Sequence, residues 1–207
     1  MKKNKTSKKF VYLISPDKIE NEQFYINLAL VLSSGKVSFF QLRLKKETNQ
    51  NKLIIGKKIK KICKKYKVKF LINDDPLLAK KLNADGCHLG QKDMNLIKAR
   101  KILKNKIIGI TCHNSINLAK RAIEDGANYL AFGAFYSSKT KTVKYKASLT
   151  ILRSVKKITS LPIIAIGGIK LNNYKKLLLN KANFLAISGY IWNNKKYKPL
   201  EAIKKLK

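Results

Sequence analysis

Eight short apolar runs, separated by stretches with helical periodicity, are the feature that most limits how this 207-residue chain can fold. Several runs are almost continuously apolar, which is typical of strands that are covered on both faces. Parallel neighbours need a long crossover, usually a helix, so the alternation predicts a parallel sheet. The predicted strands span residues 10–15, 37–44, 69–74, 86–90, 107–112, 129–135, 162–168 and 184–190.

Eight strands alternating with eight predicted helices fit a (β/α)8 TIM barrel of the α/β class. A doubly wound open sheet is the alternative architecture. We expect one domain over residues 1–207, with a basic, flexible tail at residues 1–9. No apolar run has the length of a membrane span or follows the pattern of a signal peptide, so we expect a cytoplasmic protein without a membrane partner. Cys63, Cys87 and Cys112 have no metal-type spacing and are predicted to be free thiols.

The net charge of +35 comes from 46 lysines and arginines against 11 acidic residues. Such a charge is compatible with a basic nucleic-acid-binding protein, which is the alternative from another functional class. However, the excess is nearly all lysine, it is spread along the whole chain, and only four arginines are present. Readers of base edges and phosphates rely on the arginine fork. We therefore expect a solvated lysine coat and no specific nucleic-acid partner.

A TIM barrel has its active site at the C-terminal ends of its strands, and the polar and small residues of this chain gather at those positions. They are Arg43 and Lys45 at the end of strand two, Asn73 to Asp75 at the end of strand three, Gly90 to Asp93 at and after the end of strand four, Thr111 to His113 at the end of strand five, Tyr136 to Lys141 after strand six, Gly167 and Gly168 at the end of strand seven, and Ser188 and Gly189 in the last part of strand eight.

Side-chain alternation in strand two puts Gln41, Arg43 and Lys45 on one face and Leu42 and Leu44 on the other. The leucines are suited to packing against helices, so the polar face is expected to point into the barrel or its mouth. Basic groups in such a place need an anion to meet them. The alternative is an internal salt bridge to one of the nearby aspartates, Asp74 or Asp93.

Two carboxylates, Asp74 and Asp93, end neighbouring strands, with Arg43, Lys45 and Lys141 nearby. Mg²⁺ typically takes one or two carboxylates, several waters and substrate phosphate oxygens, so this set predicts a Mg²⁺ site for a diphosphate. We assign Asp75, directly before Pro76, to the N-cap of a short helix instead.

A second phosphate site is predicted after strands seven and eight, where TIM barrels often bind a phosphate. Small residues there let backbone N–H groups approach the phosphate closely. Simple turn glycines are the alternative. The residues concerned are Gly167, Gly168, Ile187, Ser188 and Gly189.

Seven segments, taken together and in order, resemble the thiamine phosphate synthase family. They are "QLRLK", "FLINDD", "ADGCHLGQKD", "GITCHNS", "FGAFYSSKTK", "AIGGI" and "AISGYI", and the resemblance runs from about Tyr12 to Ile191. It implies a transferase that joins a hydroxymethylpyrimidine diphosphate to a thiazole phosphate and releases pyrophosphate, with Mg²⁺ as cofactor. Its partners would be small phosphorylated substrates, and a homo-oligomer is left open.

The resemblance also implies roles for individual residues. The aspartates Asp74 and Asp93 would hold the metal, and Thr111 would stand where the family has a serine near the reacting pyrimidine. Arg43, Lys45, Thr111 and Lys141 would be the catalytic residues. The pyrimidine diphosphate would be bound by Gln41, Arg43, Lys45, Asn73, Thr111 and Lys141, and the thiazole phosphate by Ser138, Thr140, Gly168, Ile187 and Ser188.

Two departures from the family pattern stand out. Leu44 replaces a glutamate, and Ser137-Ser138 replaces Pro-Thr in the strand-six turn. A related alternative is the thiazole tautomerase branch of the same superfamily, which relies on a histidine near the position of His113. That branch needs no diphosphate and metal set, so the strand-end residues favour the synthase.

Overall fold

Eight parallel strands close into a barrel in the computed structural model, which describes residues 9–137 and 145–207. Each strand pairs with the next along the chain, and the last pairs with the first, so the predicted TIM barrel is confirmed and the open sheet is wrong. The strands are β1 (Val11–Ile14), β2 (Val37–Leu42), β3 (Lys69–Asn73), β4 (Gly86–Leu89), β5 (Ile107–His113), β6 (Tyr129–Phe132), β7 (Ile163–Ile166) and β8 (Phe184–Ile187).

Helices connect the strands and surround the barrel. Within the described ranges they are α1 (Gln23–Ser33), α2 (Asn49–Lys65), α3 (Pro76–Lys81), α4 (Leu96–Leu103), α5 (Ile116–Glu124), α6 (Leu149–Lys156), α7 (Tyr174–Leu179), α8 (Gly189–Trp192) and α9 (Pro199–Lys205). None of these described helices is both long and apolar enough to cross a membrane.

The end of the last strand differs from the prediction. The sequence predicts strand eight over residues 184–190, but β8 ends at Ile187 and the short helix α8 follows at once. Trp192 closes this helix onto the barrel, because its indole N–H donates a hydrogen bond to the carbonyl of Ile14 at 2.7 Å. The apolar residues after Ile187 therefore pack as a helical turn across the end of β1 instead of extending the strand.

Strands two, six and seven are also shorter than predicted. β2 ends at Leu42, β6 at Phe132 and β7 at Ile166, so the residues that follow lie in loops at the barrel mouth. The predicted alternation nevertheless continues past the end of β2, since Leu42 and Leu44 are both buried among the helix-facing residues. Arg43, which lies between them, is thus left to the mouth side.

A separate core fills the inside of the barrel. Its fully enclosed members include Tyr12, Leu71 and Tyr129, with Phe39 packed against them. Gly109 makes room for one of these rings, because a Cβ at that position would lie only 1.8 Å from Cζ of Tyr129. The barrel interior therefore carries two phenol groups below the mouth.

The predicted helix cap at Asp75 is confirmed, and a second cap is formed by Ser115. The Asp75 carboxylate accepts a hydrogen bond from the backbone N–H of Leu78 at 2.8 Å, and the Ser115 hydroxyl accepts one from Leu118 at 3.2 Å. Asp75 thus belongs to the start of α3, and Asp74 remains as the strand-end carboxylate. The predicted flexible tail, apart from Lys9, lies outside the described residues.

Candidate active site

The end of β2 brings an amide into the barrel. Gln41 is 2% exposed, and within the described residues its side-chain nitrogen Nε2 has no hydrogen-bond partner. A buried N–H donor without an acceptor is costly, on the order of 1–3 kcal/mol. A ligand that offers an acceptor atom at this depth would remove that cost, so Gln41 is well suited to bind a polar substrate.

Arg43 lies two residues after Gln41, on the same face and nearer to the mouth of the barrel. Its guanidinium nitrogen Nη1 forms an ion pair with Oδ1 of Asp17 at 2.6 Å, and Asp17 lies on the loop after β1. The alternative of an internal salt bridge to Asp74 or Asp93 therefore does not hold for Arg43. The loop after β1 folds over the end of β2, where the Ser15 hydroxyl accepts from the Arg43 backbone N–H, and this brings Asp17 close to the guanidinium.

Lys45 forms the salt bridge that the alternative interpretation predicts. Its ammonium nitrogen lies 3.0 Å from Oδ2 of Asp74. A cavity of about 200 Å³ opens at this point, lined on its polar side by Lys45, Lys52, Asn73 and Asp74. The ends of β2 and β3 thus share one basic and one acidic group beside an open space.

The carboxyl groups of Asp74 and Asp93 are hydrogen-bonded to each other. Burial raises the pKa of Asp93, and the neighbouring Asp74 raises it further. Burial acts in the same direction on Asp74, but the hydrogen bonds from Asp93 and Lys45 outweigh it and leave the pKa of Asp74 below its ordinary value. Asp93 is therefore the carboxyl that donates and Asp74 the one that accepts.

Backbone geometry holds both carboxyls in place. Asp74 has a φ of +63°, a left-handed conformation that aspartate tolerates better than most residues, and its N–H donates to the carbonyl of His88 at 2.8 Å. Asp93 accepts from the backbone N–H of Gly90 at 2.7 Å. Groups of three or more possible metal ligands are not found in the described ranges.

Thr111 lies at the mouth end of a hydrogen-bonded chain inside the barrel. Its hydroxyl oxygen is 2.8 Å from Nε2 of His88, and Nδ1 of His88 is 2.8 Å from the hydroxyl of Tyr129. The Tyr129 hydroxyl is in turn 2.9 Å from that of Tyr12. Burial lowers the pKa of His88 to about 4, so its imidazole is neutral near pH 7.

Tyr12 and Tyr129 were not among the predicted site residues. Alternation could have indicated them, because Tyr12 shares a face with Ile14 and Tyr129 with Ala131, and all four belong to the barrel interior. Tyrosine hydroxyls inside a barrel need partners. The signal was therefore present in the two strands, although no spacing rule connects residues this far apart.

His113 lies beside a second hollow, not in the hydrogen-bonded chain. It has a φ of +52° at a register irregularity between β5 and β6, and its ring centroid is 4.2 Å from that of Tyr145. The hollow has a volume of about 310 Å³ and is also lined by Gln91, Asn114 and Ser115. Cys112, the residue before His113, is buried in the outer core against the helices.

The glycine pair after β7 is required by close packing. Gly168 has a φ of +60°, and a Cβ there would lie 2.3 Å from the carbonyl oxygen of Ser137. After β8, the Ser188 hydroxyl donates to the carbonyl of Ser15 at 3.0 Å, and the Ile187 side chain is buried against helices. Ile187 can therefore offer only its backbone to the mouth. The remaining predicted residues, Ser138, Thr140 and Lys141, lie outside the described residues.

Comparisons with known proteins agree on one family. The family model described as thiamine monophosphate synthase matches residues 11–191. The chain is 86% identical over its full length, and over the full length of the relative, to the thiamine-phosphate synthase of Pelagibacter ubique. It is 39% identical to the thiamine-phosphate synthase of Nitrosomonas eutropha, over 88% of this chain and 86% of the relative.

A solved structure is similar along nearly the whole barrel. Thiamine phosphate pyrophosphorylase from Pyrococcus furiosus superposes with a TM-score of 0.84 at 26% identity, and the match covers 96% of this chain and 94% of that structure. The strand ends that carry the candidate residues lie within the matched region, since the family model spans β1 to α8.

Proposed function

The chain belongs to the thiamine monophosphate synthase family, and from this premise we propose how its barrel mouth carries out the reaction. The enzyme is a transferase that condenses 4-amino-2-methyl-5-(diphosphooxymethyl)pyrimidine with thiazole phosphate. The products are thiamine phosphate and pyrophosphate. This reaction accounts for the polar residues at the barrel mouth, so neither a tautomerase nor a nucleic-acid-binding protein is needed to explain them.

The observation that carries the proposal is the pair of carboxyls Asp74 and Asp93, hydrogen-bonded to each other with Lys45 beside them. Two carboxyls that share a proton form a site where a cation can take the place of that proton. Mg²⁺ commonly uses one or two carboxylates and leaves its other positions to water and phosphate. The residues therefore fit Mg²⁺, and we propose Asp74 and Asp93 as its protein ligands.

When bound, Mg²⁺ would supply positive charge against the diphosphate oxygens. The chain's own residues would supply the rest of the diphosphate site. Gln41 would donate its partnerless side-chain N–H to the substrate. Asn73 at the end of β3 borders the cavity beside Lys45 and Asp74 and would bind the diphosphate there. Arg43 and Lys45, which form ion pairs with Asp17 and Asp74, would turn their charge to the diphosphate.

The chemical step exchanges one bond for another. The C–O bond between the pyrimidine methylene and the diphosphate breaks, and its electron pair leaves with pyrophosphate. The amino group of the pyrimidine stabilises the positive charge that develops on the methylene carbon. Arg43, Lys45 and Lys141 would stabilise the growing negative charge of the leaving group, which is where most of the acceleration is expected to arise.

The thiazole nitrogen then attacks the methylene carbon with its lone pair. This nitrogen carries no proton, so no general base is needed, and the neutral buried His88 is consistent with that. Holding the thiazole through its phosphate would bring the two reacting atoms together. We propose that Gly168, Ile187 and Ser188, with Ser138 and Thr140, form this second phosphate site.

We also propose a cytoplasmic location and small phosphorylated molecules as the substrates, with no specific nucleic-acid partner. The three cysteines are buried and free, which suits a reducing compartment. The lysine excess is expected to bind polyanions weakly and in a strongly salt-dependent way.

The test of the metal assignment is turnover with both substrates in Mg²⁺, in EDTA, and in EDTA followed by excess Mg²⁺. Formation of thiamine phosphate and pyrophosphate should stop in EDTA and return with Mg²⁺. Binding of Mn²⁺, followed by its paramagnetic effect on water relaxation, should be present in the wild type and lost in Asp93→Asn. Full turnover in EDTA would remove Mg²⁺ from the mechanism.

A further inference from the structure

We propose that Tyr129, acting through His88, fixes the Thr111 hydroxyl as a hydrogen-bond donor to an acceptor atom of the pyrimidine diphosphate. Tyr129 and His88 are then positioning residues, and Thr111 is the group that touches the substrate. The contact between Thr111 and substrate rests on the proposed function, whereas the direction of the hydrogen bonds rests on the barrel interior alone.

The chain of hydrogen bonds is unbranched among its side chains. Tyr12 and Tyr129 meet at 2.9 Å, Tyr129 and His88 at 2.8 Å, and His88 and Thr111 at 2.8 Å. Both phenol rings are 2% exposed, so water cannot replace a missing partner at that end. The His88 ring lies nearly parallel to that of Tyr129, with an interplanar angle of 12°. Each bond can in principle run in either direction.

Counting donors selects one direction. Among the described residues, the Tyr12 hydroxyl makes a side-chain hydrogen bond only to Tyr129. If Thr111 donated to His88, then His88 would donate to Tyr129 and Tyr129 to Tyr12, and the buried Tyr12 O–H would have no acceptor. If Tyr12 donates first, every buried O–H and N–H in the chain finds an acceptor. Unsatisfied buried donors cost more than acceptors with a spare lone pair.

The same count excludes a charged imidazole. A protonated His88 would donate at both nitrogens, and either Tyr12 or Tyr129 would then keep an O–H without an acceptor. His88 is therefore neutral, accepts from Tyr129 at Nδ1, and carries its proton on Nε2, where it donates to Thr111.

This direction of the hydrogen bonds determines how the Thr111 hydroxyl can bind a ligand. One lone pair of its oxygen is occupied by the His88 N–H, and its own O–H is the single hydrogen of the chain that is left for the mouth. Thr111 is half-buried there, and hydrogen bonds in series polarise one another, so the final O–H is a stronger donor than an isolated hydroxyl. The substrate atom that it meets must be an acceptor, which a pyrimidine ring nitrogen or a diphosphate oxygen provides.

The first experiment reads the His88 tautomer directly, without any substrate. The chain has only two histidines, so ¹⁵N-labelled imidazole signals can be assigned with one His113→Asn variant. Two-bond ¹H–¹⁵N correlations should show a neutral His88 with its proton on Nε2. They should show the same tautomer in Tyr12→Phe, because Tyr129 can still donate to His88, and a mixture of tautomers in Tyr129→Phe. A proton on Nδ1, or a charged ring, in the wild type at pH 7.5 would overturn the proposal.

The second experiment compares the two phenylalanine variants in turnover. Each removes one buried hydroxyl and keeps its ring, so a merely structural role would affect both alike. We expect Tyr129→Phe to lower kcat about tenfold, which corresponds to about 1.4 kcal/mol, and Tyr12→Phe to keep kcat within about threefold. Equal losses in the two variants, or no loss in Tyr129→Phe, would contradict the positioning role. Thermal unfolding of both variants checks that the barrel is intact.

A double-mutant cycle separates this inference from the proposed function. Thr111→Val should lower kcat, Thr111→Ser should retain it, and Tyr129→Phe should cost little more once Thr111 is valine. Full activity of Thr111→Val would remove the substrate contact and with it the positioning role, while the tautomer measurement would still stand. Additive losses would show that Tyr129 does not act through Thr111.

Discussion

The Arg43 guanidinium is held 2.6 Å from the carboxylate of Asp17, so the loop after β1 supplies an anion to the basic group at the end of β2. The Asp17 side chain is 58% exposed, and the bond is therefore weak enough to exchange. In the proposed mechanism the same guanidinium meets the substrate diphosphate. Asp17 and the diphosphate would then compete for Arg43.

Replacing Asp17 should consequently strengthen substrate binding. We expect Asp17→Asn to lower the KM for the pyrimidine diphosphate about two- to fivefold, since an exposed ion pair contributes about 0.2–1 kcal/mol, with kcat nearly unchanged. Initial rates at varied pyrimidine diphosphate check this. Glu22→Gln is the matched control, because it breaks the exposed Lys58–Glu22 pair on the helix side and should leave KM alone. A raised KM in Asp17→Asn would mean that Asp17 orients Arg43 instead of competing for it.

Replacing one carboxyl of the Asp74–Asp93 pair is expected to lower activity without lowering stability. Asp93→Asn should abolish most Mg²⁺-dependent turnover, by about 100-fold or more, because a metal ligand is lost. Its thermal midpoint without metal should stay equal or rise, since one of two adjacent acidic groups is removed. Activity assays and thermal unfolding in EDTA measure both effects. A large drop in the midpoint, of about 10 °C or more, would show that Asp93 is a structural residue.

Patterns within a single segment of the sequence correctly predicted the features of this site that are formed by one strand and the loop that follows it. Alternation with period two is local, and it correctly separated Gln41 from Leu42 and Leu44. The cap at Asp75 is also local, so Asp74 could be singled out as the strand-end carboxylate. The order of strands and helices predicted the barrel, and the barrel predicted which loops meet at the mouth.

Contacts between distant segments could not be predicted in the same way. The Arg43–Asp17 pair depends on the path of the loop after β1, and the Tyr12–Tyr129 bond joins residues 117 positions apart. The predicted end of strand eight at residue 190 was wrong, because the turn into α8 depends on another contact between distant segments, the hydrogen bond from Trp192 to the carbonyl of Ile14 in β1. The roles of Lys141, Ser138 and Thr140 stay predictions.

Close backbone packing after β7 predicts that adding one methyl group at Gly168 strongly destabilises the protein. Gly168→Ala should destabilise the protein by about 2–4 kcal/mol, because it combines a left-handed φ with a contact of 2.3 Å to the Ser137 carbonyl oxygen. Gly35→Ala is the control, since Gly35 also has a positive φ but no atom within 4 Å of the added Cβ, and it should cost about 1 kcal/mol. Denaturant unfolding gives both values. Equal penalties would mean that the β6 loop moves aside freely.

Burial of the three thiols predicts that they report unfolding of the whole barrel. Cys63, Cys87 and Cys112 are enclosed, and burial raises the pKa of Cys112 to about 12, so its reactive thiolate is scarce at pH 8. We expect a thiol-specific reagent to label none of them in native protein within minutes and all three in denaturant. The labelling rate should rise with denaturant in parallel with the loss of circular dichroism. Rapid labelling of one cysteine in native protein would reveal local opening next to the strand that carries it, since Cys87 lies in β4 and Cys112 in β5.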